Sequence, residues 1–245
     1  MIHVLTVHHK TNKWIDIQTD YLKKYTTEPY RIYAVNWEVG EYNKDLFYFS
    51  NEDYKHHHHF RLDWLFEKVA REPDTKDDDL LLILDGDCFP IAPWVDIAKE
   101  KLLTHHLFGV KRTENHEEYP HPCFLVMTIG MWKWFIQALD GDPWRNGGGG
   151  GPNDYGYYLG QLIKNGKIPW HTLLRSNKNN PHQLFFGVYD NLVYHHGCGY
   201  RAPRCYTDRL DKTRKFDDIV DNNIKMDKEW FAKIQTDHLF YKELL

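Results

Sequence analysis

The chain has 245 residues, 42% of them hydrophobic and 27% charged, and carries a formal net charge of −4. Those totals describe one soluble domain with ample core, or one domain with a terminal extension. No Lys/Arg block dominates, which argues against a nucleic-acid backbone as partner, and no apolar run nears the ~18 residues of a membrane span.

Residues 2–7 (IHVLTV) read as a buried first strand, and the start MIHVLTVHHK enters it so directly that no signal peptide is expected. Spacing at 14, 15, 18, 21 and 22 predicts a helix over 14–24. Residues 30–35 (YRIYAV) predict a second strand. Residues 59–71 predict a helix with Phe60, Leu62, Trp64, Leu65 and Val69 on or near one face, and 79–84 a third strand. This β-α-β-α-β order marks a parallel sheet with crossover helices. The second half predicts short strands at 107–110 and 123–128 and a helix over 130–139. A glycine-rich loop (GDPWRNGGGGG) follows over 141–151, then a helix from about 154 to 164 that stops at Asn165-Gly166. Further strands fall at 168–174 and 190–195. From Arg204 onward the pattern is charged and weakly helical, as in a packed tail. Cys88, Cys123, Cys198 and Cys205 lack CxxC spacing and read as reduced thiols in a cytoplasmic protein.

The stretch DDDLLLILDGDCFPI, residues 77–91, runs five apolar residues into Asp85-Gly86-Asp87. In open α/β sheets ligands bind outside the carboxyl ends of the strands, where these carboxylates fall. Three readings fit the residues themselves. Residues two apart in extended chain point the same way, so the pair suits Mg²⁺ or Mn²⁺, with Gly86 allowing close approach. Strand-then-Asp-x-Asp is also the nucleophile motif of haloacid-dehalogenase-like phosphatases, with Asp85 attacking; against it, Cys88-Phe89 follows and two βα units precede. Asp-Gly-Asp is, finally, good turn chemistry.

The strand-then-DxD element after a βαβ half resembles the GT-A class of nucleotide-sugar glycosyltransferases, over roughly residues 1–200. That resemblance implies a single-domain, Rossmann-like α/β fold: a mixed sheet of about six to eight strands with helices on both faces. It implies a catalytic domain over 1–203, with a nucleotide-binding half over 1–100 and an acceptor half over 101–203, and a helical extension over 204–245. It implies Mn²⁺ (or Mg²⁺) held by Asp85, Asp87 and a His from a late strand. In NLVYHHGCGYR (191–201) His195 is the first choice and His196 the second. Asp154, at a helix start, would be the general base of an inverting enzyme, or simply a helix cap. Lys111 or Arg112 would pair with phosphate and His121 with the sugar. Thr6, Val7, His8, Asn36, His59 and Gly86 would line the nucleotide side. Trp132, Trp134, Trp144 and Trp170 are candidates for stacking on an acceptor sugar or for the core.

The implied reaction moves a sugar from a nucleotide-diphosphate donor to a hydroxyl of a glycan or other acceptor. Two departures from the family leave the stereochemistry open: no Lys-Pro-Trp follows the late His, and no Glu-Asp pair marks a base. The alternatives are the phosphatase, a nucleotidyltransferase, which would want a glycine-rich loop after the first strand where TVHHKTNKW has none, and a non-catalytic sugar-binding protein. Donor, acceptor and oligomeric state are not encoded legibly.

Overall fold

The computed structural model describes residues 1–56, 58–138, 157–199 and 216–245. The first half runs β1 (Ile2–His9), α1 (Ile15–Tyr25), β2 (Tyr30–Trp37), β3 (Phe49–Asn51), α2 (His58–Arg71) and β4 (Leu80–Asp85) in chain order. β1 is buried along almost its whole length, and β4 until its final Asp85, as expected of strands covered on both faces. β5 (Cys88–Pro90), α3 (Val95–Leu102), β6 (Leu107–Val110), β7 (His121–Thr128) and α4 (Ile129–Ala138) come next. They lead to α5 (Tyr157–Gly166), β8 (Trp170–Leu173), β9 (Gly187–Tyr189), β10 (Val193–His195) and α6 (Phe216–Thr236).

The main sheet has seven strands in the order β3-β2-β1-β4-β7-β6-β8. The β3-β2-β1-β4 half is parallel, whereas β7 runs antiparallel to both β4 and β6. The architecture is mixed α/β in a single domain, with helices on both faces. One face packs α1 and α3 through Ile15, Leu22, Val95 and Ala98 on Val4, Ile32, Leu82 and Val126. The other packs α2, α4 and α5 through Leu65, Val69, Phe135 and Ile163 on Leu5, Val35, Leu81 and Met127.

One departure from the expected layout sets up the site. The late strand does not join the main sheet. β10 pairs antiparallel with β5 and β9 in a separate three-stranded sheet, with His195 opposite Cys88. The chain leaves β4 through Asp85-Gly86-Asp87 and enters β5 at once, so this small sheet carries β10 straight to the carboxylates. α6 closes the small sheet's outer side: Trp230 and Ile234 pack with Trp14, Phe89, Phe186 and Tyr194, and Phe240 and Leu244 beyond the helix join them. Burying an Ile, Phe or Leu contributes roughly 1.5–3 kcal/mol, which makes α6 an integral wall of the fold.

Candidate active site

Asp85 ends β4 and Asp87 sits two residues on, at the carboxyl edge of the parallel half. From β10, the His195 Nε2 lies 3.6 Å from Asp87 Oδ1 and 3.9 Å from Asp85 Oδ2. One ligand atom from each of the three residues lies within 4.8 Å of the others. Asp87 and His195 are buried, and Asp85 is partly so. Two hard carboxylate oxygens and one imidazole are a donor set for a divalent cation of the Mn²⁺ type. Burial pushes the Asp85 carboxyl up to about 7, against the pull of His121 and His195. Burial also works against a charged His195, yet Cys123 and Asp87 raise its pKa. Two carboxylates and one imidazole converging within 4.8 Å fit a divalent cation.

His121, Cys123 and His195 form a second compact group. There, however, an N–H donor faces each ring nitrogen of His121: the Cys123 backbone at Nδ1 (3.1 Å) and Arg112 Nη1 at Nε2 (2.9 Å). The lone pair that a cation would need is engaged, so the carboxylate group is the better site.

The turn that carries the carboxylates is tied down from below. Gln18, fully buried on α1, donates from Nε2 to the carbonyls of Asp85 (2.7 Å) and Cys88 (2.8 Å), and its Oε1 accepts the Thr6 hydroxyl (3.0 Å). Gly86 is there because there is no room for more: a Cβ would come within 2.8 Å of both His8 Nδ1 and the Val7 carbonyl oxygen. Asp87 is clamped by backbone donors, its carbonyl by the His196 N–H (3.1 Å) and its Oδ2 by the Gly197 N–H (3.0 Å).

The remaining expected site residues divide by position. Thr6, expected on the nucleotide side, is wholly buried beneath the turn with its hydroxyl engaged by Gln18. Val7 and His8 lie under Gly86, and burial lowers the His8 pKa to about 4. Asn36 pairs in register with His8 and is 1% exposed. Neither of its amide atoms, nor His8 Nε2, has a hydrogen-bond partner among the described residues. Three orphaned polar atoms on adjacent strand ends make a place for a polar group. Arg112 and His121 are buried together, and the His121 ring centroid lies 5.6 Å from that of His195. Lys111 pairs with Glu118 instead of facing the carboxylates. His196 departs from its expected role: Nδ1 meets Tyr194 Oη at 2.9 Å and Nε2 meets Asp227 Oδ1 at 2.7 Å, so both nitrogens are engaged away from the carboxylates. Trp132 is a core residue against Phe66, not an acceptor platform. Trp170 packs against the same core cluster, while Trp134 is 47% exposed. Asp154, Trp144, the glycine-rich loop over 141–151 and the side chain of His59 lie outside the described residues.

Two residues of this site escaped the sequence reading. His58, which opens α2, brings Nε2 to 3.5 Å from Asp85 Oδ1. The histidine run signalled it, but its phase on the helix was not readable. Gln18 could have been found as a polar residue within the stripe that predicted α1.

No family model and no curated protein matches this chain. Among solved structures it is similar to the apo-form glycosyltransferase GlyE of Streptococcus pneumoniae TIGR4, at 14% identity and a TM-score of 0.48. That match covers 70% of this chain and 44% of the other, so this chain spans less than half of that protein. It is similar to the galactosyltransferase LgtC in complex with donor and acceptor sugar analogs, at 12% identity and a TM-score of 0.44, over 91% and 96% of the two chains. It is also similar to the mannosyltransferase PcManGT of Pyrobaculum calidifontis in complex with GDP-Man and Mn²⁺. Identity there is 10% and the TM-score 0.46, over 74% of this chain and 58% of that one.

Proposed function

We propose that the protein is a metal-dependent glycosyltransferase that moves a sugar from a nucleotide-diphosphate donor to a hydroxyl of a glycan or other acceptor. The observation that carries the reading is the convergence of Asp85, Asp87 and His195 from two different sheets onto one spot. A bare turn would not need an imidazole from β10, and an aspartyl nucleophile would not need it within 4 Å of both carboxylates.

Asp85, Asp87 and His195 would hold Mn²⁺ or Mg²⁺. When bound, such a cation stabilises the charge that develops on a departing nucleoside diphosphate. The protein's own groups do the rest. Gln18 and the backbone donors of His196 and Gly197 keep the carboxylates oriented. The orphaned His8 Nε2 and the orphaned amide of Asn36, one and two strands from the carboxylates, support a place for the polar nucleoside end of the donor. Arg112, buried beside His121 and 3.8 Å from Glu117, is the cation assigned to phosphate. Asp154 as general base, and with it inversion at the sugar carbon, completes the proposal. No described helix is long and apolar enough to cross a membrane. Cys88 and Cys123 are buried free thiols, which supports a reducing, cytoplasmic setting.

The test is product formation. Incubated with a panel of nucleotide sugars and candidate acceptors, the protein is expected to release nucleoside diphosphate only with Mn²⁺ or Mg²⁺, and Asp87→Ala and His195→Ala are expected to abolish release. Release that ignores the cation or both substitutions rejects the reading. Release of inorganic phosphate from a phosphomonoester, lost in Asp85→Asn, would favour the phosphatase instead.

A further inference from the structure

The C-terminal helix reaches the carboxylate turn through one side chain. Asp227 on α6 accepts a hydrogen bond from His196 Nε2 at 2.7 Å. With its proton on Nε2, the neutral His196 ring can accept the Tyr194 hydroxyl at Nδ1, 2.9 Å away. Both nitrogens are thus satisfied and the ring's tautomer is fixed. The ring is fully buried, with Trp14 at 4.6 Å and Phe186 at 4.9 Å between centroids, so it has no room to turn.

What the ring holds still is the backbone beside it. The His196 N–H donates to the Asp87 carbonyl, and the next N–H, of Gly197, donates to Asp87 Oδ2. Gly197 has φ +92°, a left-handed conformation that glycine adopts without strain and that turns its N–H onto the carboxylate. With Oδ2 occupied, Oδ1 is the oxygen that faces His195. A continuous set of contacts therefore runs from Asp227 through the His196 ring and the 196–197 peptides to the orientation of Asp87. Docking α6 does not need this polar contact, because Trp230 and Ile234 are already buried in the apolar cluster beneath the helix.

We propose that Asp227 is a positioning residue for the cation site: acting through His196, it sets the peptides that orient the Asp87 carboxylate. The assignment rests on the reading of Asp85, Asp87 and His195 as that site. It gives the C-terminal extension a role in the chemistry beyond covering apolar surface.

The experiment is a Mn²⁺ titration of the whole chain, followed by loss of the free-ion electron paramagnetic resonance signal, with a thermal melt of each variant. Asp227→Ala is expected to weaken Mn²⁺ binding about tenfold or more, the usual size of an outer-sphere effect on metal affinity. Asp227→Ser carries the same expectation should the alanine variant fail to fold. Asp227→Asn, which can still accept the His196 N–H, restores most of the affinity. Ile234→Ala, which thins the apolar face of the same helix, lowers the melting temperature and leaves Mn²⁺ affinity unchanged. Wild-type affinity in Asp227→Ala, or an equal loss in Ile234→Ala, overturns the assignment while the cation site stands. A wild-type protein that binds no Mn²⁺ removes the cation site and this assignment together.

Discussion

Gln18 is the strongest test of how the carboxylates are held. Its carboxamide is fully buried and makes three hydrogen bonds, to the Thr6 hydroxyl and to the carbonyls of Asp85 and Cys88. Gln18→Met keeps the length of the side chain and deletes all three bonds. Two carbonyls and one hydroxyl then lose their partner, at a cost of about 1 kcal/mol or more each, or roughly 3 kcal/mol together. A domain of this kind is stable by only about 5–15 kcal/mol, so the loss is large but survivable. The assay is urea denaturation at neutral pH, comparing midpoints at unchanged slope. Because two of the three bonds fix the Asp85-to-Cys88 turn, Mn²⁺ affinity should fall in the same variant. A loss of well under 1 kcal/mol with unaltered Mn²⁺ binding would refute the claim that α1 holds the turn.

Other substitutions probe the same geometry. Gly86→Ala forces a Cβ to within 2.8 Å of the Val7 carbonyl oxygen, so the turn must shift; denaturant titration should show about 1–3 kcal/mol of destabilisation, with weaker Mn²⁺ binding by resonance titration. Gly197→Ala puts a side chain at φ +92°, and a loss of about 1–3 kcal/mol is expected in the same measurement. Acidification should act at His182, whose pKa is lowered from 6.5 to about 4 by burial and then by Arg175. The folded protein keeps this ring neutral down to about pH 4, whereas the unfolded chain takes up a proton near 6.5. Its contribution is thus complete above that value and is lost as pH falls from there to about 4, by roughly 3 kcal/mol. Denaturation midpoints across that range should fall less steeply in His182→Gln than in wild type; equal slopes would contradict it.

The parallel half of the sheet was readable because its signals are long and redundant. β1, β2 and β4 are apolar runs separated by two helical stripes, and they occur where the pattern predicts, give or take the end residues. The three-residue strands β3, β5 and β9 offered no periodicity to detect and were missed, whereas the equally short β10 was caught within the apolar run predicted over 190–195. Missing β5 hid the small sheet, and with it the reason that His195 meets Asp87. The carboxylate pair was visible as an abrupt polar end to an apolar strand. The choice between His195 and His196 was not visible, since adjacent residues of a strand face opposite ways and only the fold reveals which face holds the carboxylates. The partner of His196 is 31 residues away on α6, a distance over which no local pattern speaks.

The most direct measurement is a calorimetric titration of a panel of nucleoside diphosphates into wild type and Asp87→Ala, each with and without Mn²⁺. The account predicts that one nucleotide binds wild type only when Mn²⁺ is present and does not bind Asp87→Ala. Binding of none, or binding indifferent to both the cation and Asp87, would contradict it.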